Sequence, residues 1–194
     1  MPTRLVFLLE EPSMKNLLVE FLPRLFPGWV YNTNFFCIPH EGKSDLDRNI
    51  PRKLTAWKIP NDQFVIVRDN DGAPCKEIKA RFTNLCHAHG RPDTLVRLVC
   101  QELESWYIGD LPALAVAFED TKLANPKNLK RFVQPDTWQK PSVELERMIP
   151  TFQKGSAATL MGKHLSVDEK QNKSESFQFF VQGLRRIASK NNLA

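Results

Sequence analysis

One short stretch near the start of the chain constrains its fold more than any other. Residues 5–9 are five consecutive apolar residues, and Glu10, Glu11 and Pro12 follow them directly. An apolar run without alternation is typical of a strand that is buried on both faces, as in a parallel sheet covered by helices. Because open α/β sheets bind ligands at the carboxyl ends of their strands, the acids after this run mark a candidate site.

Three more apolar runs predict three more strands, and helical patterns separate them. The predicted strands are residues 35–38, 64–68 and 95–99, and the predicted helices are residues 12–25, 44–57 and 74–87. Ser44 or Asp45 is the expected cap of the second helix, and Pro23 is expected to kink or end the first. This alternation predicts an α/β fold with a mostly parallel sheet of about four strands flanked by helices.

The second half of the chain has few strand signals. Its apolar spacing predicts helices over residues 103–118 in two pieces, 142–148, 155–164 and from Phe177 onward, with an irregular basic connector at 122–140. We therefore expect a single domain over residues 1–194. Residues 1–100 would form its sheet core, and residues 101–194 would form a mostly helical extension.

The composition indicates in which compartment the protein is expected and what kind of partner it can bind. A run of ~20 apolar residues, as a membrane span requires, does not occur in the sequence, and a signal peptide is not evident. We expect a cytoplasmic protein without a membrane partner. The formal net charge of +5 is compatible with a nucleic-acid partner. The four cysteines form no CxxC pair, and disulfides are not expected in a reducing compartment.

Acids follow three of the predicted strands. Glu10 follows the first, Asp69 and Asp71 follow the third, and Glu102 and Glu104 follow the fourth. Two carboxylates ~4 Å apart repel each other by ~4 kcal/mol at an effective dielectric of 20, and a cation relieves that repulsion. Hard oxygen ligands favour Mg²⁺ or Mn²⁺ over zinc. These five residues are the predicted metal ligands.

Each acid also has a simpler interpretation. If residues 69–71 are extended, Asp69 and Asp71 project to the same side and can share a metal; the alternative is an ordinary Asp-Asn-Asp-Gly turn. Glu10 could merely favour the start of a helix. Glu102 and Glu104 share a face only if extended. In a helix only one of them points at the site, and Glu104 is the preferred candidate.

Basic and polar residues next to these strand ends are candidates for binding a phosphate. His40, Lys43, Arg68 and Ser13 are the predicted substrate-binding residues, with His40 also able to shuttle a proton. The alternatives are a solvated Lys43, a hydrogen-bonded loop histidine and an arginine that serves as a structural partner of the acids. Lys154 precedes Gly155 and is expected to reach the same edge from the second half. The predicted catalytic residues are Glu10, Asp69, Asp71, Lys43 and Lys154.

The order of these motifs resembles that of a known family. A strand-end Glu10 followed later by Asp69 and Asp71 is similar to a Toprim domain. A closer resemblance, over nearly the whole chain, is to the Toprim-like DUF4276 family. The motifs that carry it are residues 10–13, 40–46, 69–71, 102–106 and 174–177. The resemblance implies Mg²⁺-dependent phosphodiester chemistry on nucleic acid, with DNA as the expected substrate, beside a partner ATPase in phage defence or repair.

Two principal functions follow from these observations. The first is a nuclease or related phosphodiester-processing enzyme that depends on Mg²⁺ or Mn²⁺. The alternative is a non-catalytic, Toprim-derived subunit that binds nucleic acid or regulates a partner. Glu11 stands where the common Toprim pattern has Gly, and Met14 stands where related nucleases often carry an acid. A phosphatase-like or nucleotide-binding domain is a third possibility, although the sequence has no Gly-rich phosphate loop.

Overall fold

A computed structural model describes residues 4–191 and shows an α/β fold. Its strands are β1 (Leu5–Leu9), β2 (Phe35–Pro39), β3 (Gln63–Asp69) and β4 (Leu95–Val99). The helices between them are α1 (Pro12–Leu25), α2 (Lys43–Ala56) and α3 (Cys75–Ala88). All strand pairs are parallel, in the order β2-β1-β3-β4. The predicted fold class is confirmed.

The sheet is covered on both faces, which explains the unalternating apolar run of β1. Leu5, Phe7 and Leu9 face one core together with α1 and the helices of the second half. Val6 and Leu8 face the other core, against apolar side chains of α2 and α3. All five residues are fully buried because β1 lies between β2 and β3 in the middle of the sheet.

Helix α1 has the predicted bounds, so Pro23 does not end it: the helix runs on to Leu25. Pro23 lies in the last turn, so the hydrogen bond that its missing N–H removes is one at the very end of the helix. Helix α2 begins at Lys43, and its N-cap is Gly42 with a φ of 94° rather than Ser44 or Asp45. A positive φ of this kind is easily adopted only by glycine.

The described part of the second half consists of helices, short 3-10 turns and loops. The helices are α4 (Glu104–Ile108), α5 (Leu111–Ala117), α6 (Pro126–Arg131), α7 (Pro141–Met148), α8 (Lys154–His164) and α9 (Glu175–Lys190). The 3-10 turns are Thr121–Ala124, Pro135–Thr137 and Glu169–Gln171. Helix α8 packs along α1, and α9 packs against β4. Between residues 4 and 191, every helix is too short or too polar to cross a membrane.

The strand order determines where a ligand site is expected. From β1 the chain crosses to β2 on one side, and it later returns to β3 on the other side of β1. The carboxyl ends of β1 and β3 therefore border the point at which the sheet changes direction. In open α/β sheets the crevice at such a point is the usual ligand site.

Candidate acidic site

Glu10 and Asp69 meet at this crevice. Leu9 and Val67 are partners in the parallel register of β1 and β3, and the Glu10 amide continues the pairing by donating to the Val67 carbonyl at 3.2 Å. The Asp69 amide donates to Oε2 of Glu10 at 3.0 Å. The two residues are therefore adjacent, because β1 and β3 are neighbours in the sheet.

The Glu10 carboxyl is held in an environment that disfavours its charge. Burial raises its pKa from 4.5 to about 7, against the opposing effects of the Asp69 amide and the Arg68 charge. The negative charges of Asp71 and Glu11 raise the pKa further. Glu10 is thus poorly solvated and close to other acids.

The Asp69 carboxyl is also held in an environment that disfavours its charge. Its Oδ1 is buried and accepts no hydrogen bond from any described residue. Burial is the largest cause that raises its pKa well above the ordinary value, followed by the charges of Glu10, Glu11 and Glu104. A buried carboxylate oxygen without a donor is costly in an apolar interior.

Glu104 reaches the same region from the helical half. It is the first residue of α4, is 1% exposed, and its Oε2 has no hydrogen-bond partner among residues 4–191. Burial raises its pKa to about 7, although Lys154 opposes the rise. The carboxyl of Glu104 therefore resembles that of Asp69 in burial and in lacking a donor.

Lys154 lies at this edge, as its position in the sequence predicts. It is the first residue of α8, and its Nζ is 3.7 Å from Oε1 of Glu104. Burial lowers its pKa, but the charges of Glu104, Glu11, Glu102 and Asp69 outweigh burial, so that its pKa is raised. Lys154 is the cation that the acids of both halves share.

Sequence reasoning missed two members of this group. Glu11 accepts a hydrogen bond from the Ser13 hydroxyl, and its charge raises the pKa of both Asp69 and Glu104. Tyr107 is buried, and its hydroxyl has no hydrogen-bond partner among the described residues. Burial, then the charges of Glu104, Glu11 and Asp69, raise its pKa well above 10.0. Its spacing of three residues from Glu104 was the available signal, since such residues share a helix face.

Residues 69–71 are not extended but turn after Asp69, so of the two alternatives the turn is the one observed. Strand β3 ends at Asp69, and Asp71 has a φ of 48°, in the left-handed region. Its Oδ2 instead forms a 2.7 Å ion pair with Nζ of Lys43, the first residue of α2. This pair is partly exposed, and the hydrogen bond and charge of Asp71 raise the pKa of Lys43. Lys43 and Asp71 therefore lie at the rim, paired with each other.

The contacts of Glu102 favour a structural role over the predicted metal ligation. Its Oε2 accepts a hydrogen bond from the Ser142 amide at 3.0 Å, in the first turn of α7. Its Oε1 lies 3.9 Å from Nζ of Lys140. A carboxylate at a helix N-terminus is stabilised by the unpaired amides and the helix dipole. Of the two glutamates, Glu104 is the one whose charge raises the pKa of Asp69.

The remaining predicted substrate-binding residues have partners within the protein. Arg68 is buried, donates to the Asp69 carbonyl at 2.9 Å and to Asp47 at 3.3 Å, and lies over the Phe82 ring. These contacts favour its structural alternative. Nδ1 of His40 lies 2.9 Å from the Leu9 carbonyl, while its buried Nε2 has no hydrogen-bond partner among the described residues. Since a carbonyl only accepts, Nδ1 carries the proton and Nε2 is a free acceptor.

The acids are close in electrostatic terms but do not form a finished coordination sphere. Within residues 4–191, no three His, Cys, Asp or Glu side chains are arranged so that they could hold a metal ion. The unpartnered oxygens of Asp69 and Glu104 nevertheless have the chemistry that a hard divalent cation requires. Binding a cation here would need the carboxylates to turn toward one another.

Fold and site together define a class: an α/β protein whose parallel sheet carries buried acids at its topological switch point. Comparison with protein-family models matches residues 9–185 to a domain of unknown function, DUF4276. Because the match covers most of the chain, this protein belongs to the DUF4276 family. Comparisons with curated proteins and with solved structures gave no match.

Proposed function

We propose that this protein is a nuclease, or a related phosphodiester-processing enzyme, that depends on Mg²⁺ or Mn²⁺. The observation that carries the proposal is the pair of buried, unpartnered carboxylate oxygens on Asp69 and Glu104. Asp69 ends β3 beside the switch point of the sheet, and Glu104 begins α4 in the helical half. Acids in such positions are destabilising unless a proton or a cation compensates them.

Asp69 and Glu104 would hold the cation, with Glu10 and Glu11 as neighbouring carboxylates. When bound, a divalent cation of this kind activates water and stabilises negative charge on a phosphate. Asp71 joins such a site only if its ion pair with Lys43 opens, because that pair now occupies its Oδ2. The five predicted ligands therefore divide into Glu10, Asp69 and Glu104 at the crevice, Asp71 at the rim and Glu102 outside it.

The protein's own residues supply positive charge and a hydrogen-bond donor. Lys154 is close enough to Glu104 to balance part of its charge and is exposed enough to contact a phosphate. Lys43 is exposed, and it can exchange its partner Asp71 for a substrate phosphate. The unpartnered hydroxyl of Tyr107 can donate to a carboxylate and fix its orientation.

Nucleic acid, with DNA as the first choice, is the proposed substrate. A formal charge of +5 is compatible with binding a phosphate backbone. The resemblance to Toprim-like families adds an ATPase partner and a place in phage defence to the proposal. These two elements rest on analogy between families alone.

Cleavage assays test the proposal directly. Full-length protein is incubated with supercoiled plasmid, linear duplex, single-stranded DNA and RNA, with Mg²⁺, Mn²⁺ or a chelator. We expect metal-dependent cleavage that Asp69→Asn and Glu104→Gln each abolish, while Glu146→Gln, an exposed glutamate on α7, leaves it unchanged. Cleavage that persists in both site variants, or in the chelator, contradicts this function.

A non-catalytic subunit that binds nucleic acid or regulates a partner, with one structural Mg²⁺ or none, is the second candidate. The occupied Oδ2 of Asp71 and the lack of a ready ligand set within residues 4–191 favour it. Thermal unfolding against Mg²⁺ concentration separates the two, because a ligand of the native state raises the melting temperature. A rise that Glu104→Gln removes, without cleavage of any substrate, supports the subunit. No rise and no cleavage would contradict a metal site of either kind.

A further inference from the structure

We propose that Cys75 and Cys100 form an oxidisable dithiol, a site at which a hydroperoxide generates an intramolecular disulfide. Their sulfur atoms are 3.9 Å apart, although the two residues are separated by 25 positions in the chain. The disulfide does not depend on the function proposed above. It concerns the loops that carry the acids, not the acids themselves.

The two thiols lie where a small reagent can reach them. Cys75 begins α3, Cys100 follows β4 directly, and both are partly exposed. They line a cavity of about 490 Å³ between α3, β4 and α9. The other two cysteines, Cys37 and Cys86, are buried in the two cores. Cys75 and Cys100 are therefore more accessible to a reagent than the other two thiols.

The geometry requires only a small approach. Bonded sulfur atoms are about 2.05 Å apart, so the pair must close by about 2 Å. Cys75 lies at the end of a loop and Cys100 just beyond a strand, and a change of side-chain rotamer at such positions leaves the sheet intact. The present distance is thus that of a reduced pair poised for bonding.

The chemistry assigns different roles to the two sulfurs. The Asn70 side-chain amide donates a hydrogen bond to the Cys75 sulfur at 3.0 Å, which stabilises negative charge there. Cys75 is therefore the sulfur that attacks the peroxide, and Cys100 is the resolving thiol.

The reaction balances as a two-electron oxidation. The Cys75 sulfur bonds to one peroxide oxygen as the O–O bond breaks, and an alcohol, or water from hydrogen peroxide, leaves. The resulting sulfenic acid is attacked by the Cys100 sulfur, its S–O bond breaks, and water leaves. Two thiols and one hydroperoxide become one disulfide, one alcohol and one water.

The bond would tie together two loops that Asn70 already connects. The Asn70 side-chain amide also donates to the Ala73 carbonyl, and its Oδ1 accepts from the amides of Gly72 and Gln101. Forming the bond moves the Cys75 sulfur, which is the atom that accepts from the Asn70 amide. Because Asp69 and Asp71 flank Asn70, oxidation should change the surroundings of these two acids.

Counting thiols in the intact protein tests the inference. The reduced full-length chain is treated with one equivalent of hydrogen peroxide under native conditions, then analysed by intact mass, by thiol titration and by non-reducing peptide mapping. We expect a monomer lighter by two hydrogens, with two of its four thiols lost and a peptide linking Cys75 to Cys100. Dithiothreitol should reverse all three changes.

Serine variants supply the controls. Cys75→Ser and Cys100→Ser should each abolish the intramolecular disulfide, whereas Cys86→Ser should form it as the wild type does. If a serine variant does not fold, the peptide map of the wild type decides. Retention of all four thiols, a mass gain from added oxygen alone, a disulfide-linked dimer or a different linked pair would each overturn the inference. None of these outcomes depends on whether the protein cleaves nucleic acid.

Discussion

Tyr107 is the most unusual single residue at the acidic edge. Its hydroxyl is buried, has no partner among the described residues, and lies near enough to Glu104, Glu11 and Asp69 for their charges to raise its pKa. The ring packs in the hydrophobic core, but packing does not account for the hydroxyl, because an unpartnered buried hydroxyl costs stability.

Replacing Tyr107 by phenylalanine separates the contribution of the ring from that of the hydroxyl. We expect Tyr107→Phe to raise the free energy of unfolding of the metal-free protein by about 1 kcal/mol, because it removes the unsatisfied hydroxyl and keeps the ring. Urea denaturation in a chelator measures the change, with partly exposed Tyr31→Phe as the matched control. A loss of stability in Tyr107→Phe alone would mean that the hydroxyl is hydrogen-bonded in the native protein.

At the same scale, the sequence located some of the acids but not their directions. Glu10, Asp69 and Glu104 could be located because each lies at or just after the carboxyl end of a predicted strand. The direction of Asp71 depends on one left-handed backbone angle, and that of Glu102 depends on the amides of α7, 40 positions later. Tyr107 was not predicted as a site residue, because an aromatic residue in an apolar helix is usually part of the core.

Among the elements, α1 and α8 approach each other closely at a glycine. A Cβ added to Gly162 of α8 would lie 2.6 Å from the Leu17 carbonyl oxygen and 2.7 Å from Cβ of Glu20. Gly155, on the same helix, would bring its Cβ no closer than 3.8 Å to any such atom. The two glycines therefore differ in available space rather than in secondary structure.

This difference predicts opposite effects of one substitution. Gly162→Ala should destabilise the protein by about 1–3 kcal/mol, since the two helices must separate. Gly155→Ala should be neutral or stabilise it by up to about 1 kcal/mol, because alanine favours helix and meets no obstacle. Thermal and urea unfolding of both variants measure the contrast. Equal effects would show that α8 does not pack on α1 as closely as described.

The elements themselves were largely predictable. Predominantly apolar runs located all four strands to within one residue at each end. The signal was clearest for β1, which is buried on both faces and needs no polar position, and weaker for β4, which contains Arg97. The second half was harder, since short helices such as α4 and α6 owe their ends to capping and packing rather than to a long apolar pattern. The 122–140 segment, expected to be irregular, contains α6, one whole 3-10 turn and most of another.

For the whole molecule, the raised pKa values link folding to pH. Glu10 and Glu104 bind protons up to about pH 7 in the folded protein, whereas their ordinary pKa is 4.5, and Asp69 shifts in the same direction. Folding therefore takes up protons between these values. The contribution of these groups to stability is fully present below about pH 4.5 and is lost as the pH rises through about 7.

Urea unfolding of the metal-free protein at pH 5 and pH 8 tests this linkage. We expect the wild type to lose more stability than Glu104→Gln between these pH values, by on the order of 3 kcal/mol. Glu146→Gln should behave as the wild type, and saturating Mg²⁺ should reduce the loss by favouring the ionised acids. A difference of the opposite sign would mean that Glu104 is stabilised as a carboxylate without metal.

The acidic edge also lies between the sheet and the helices of the second half of the chain. Asp69 comes from the sheet, Glu104 and Lys154 come from helices that cover the Leu5, Phe7 and Leu9 face, and their side chains meet at one crevice. A ligand that engages Asp69 and Glu104 together would fasten the helical cover onto the strands. Resistance to proteolysis and occupancy of the crevice would then rise and fall together.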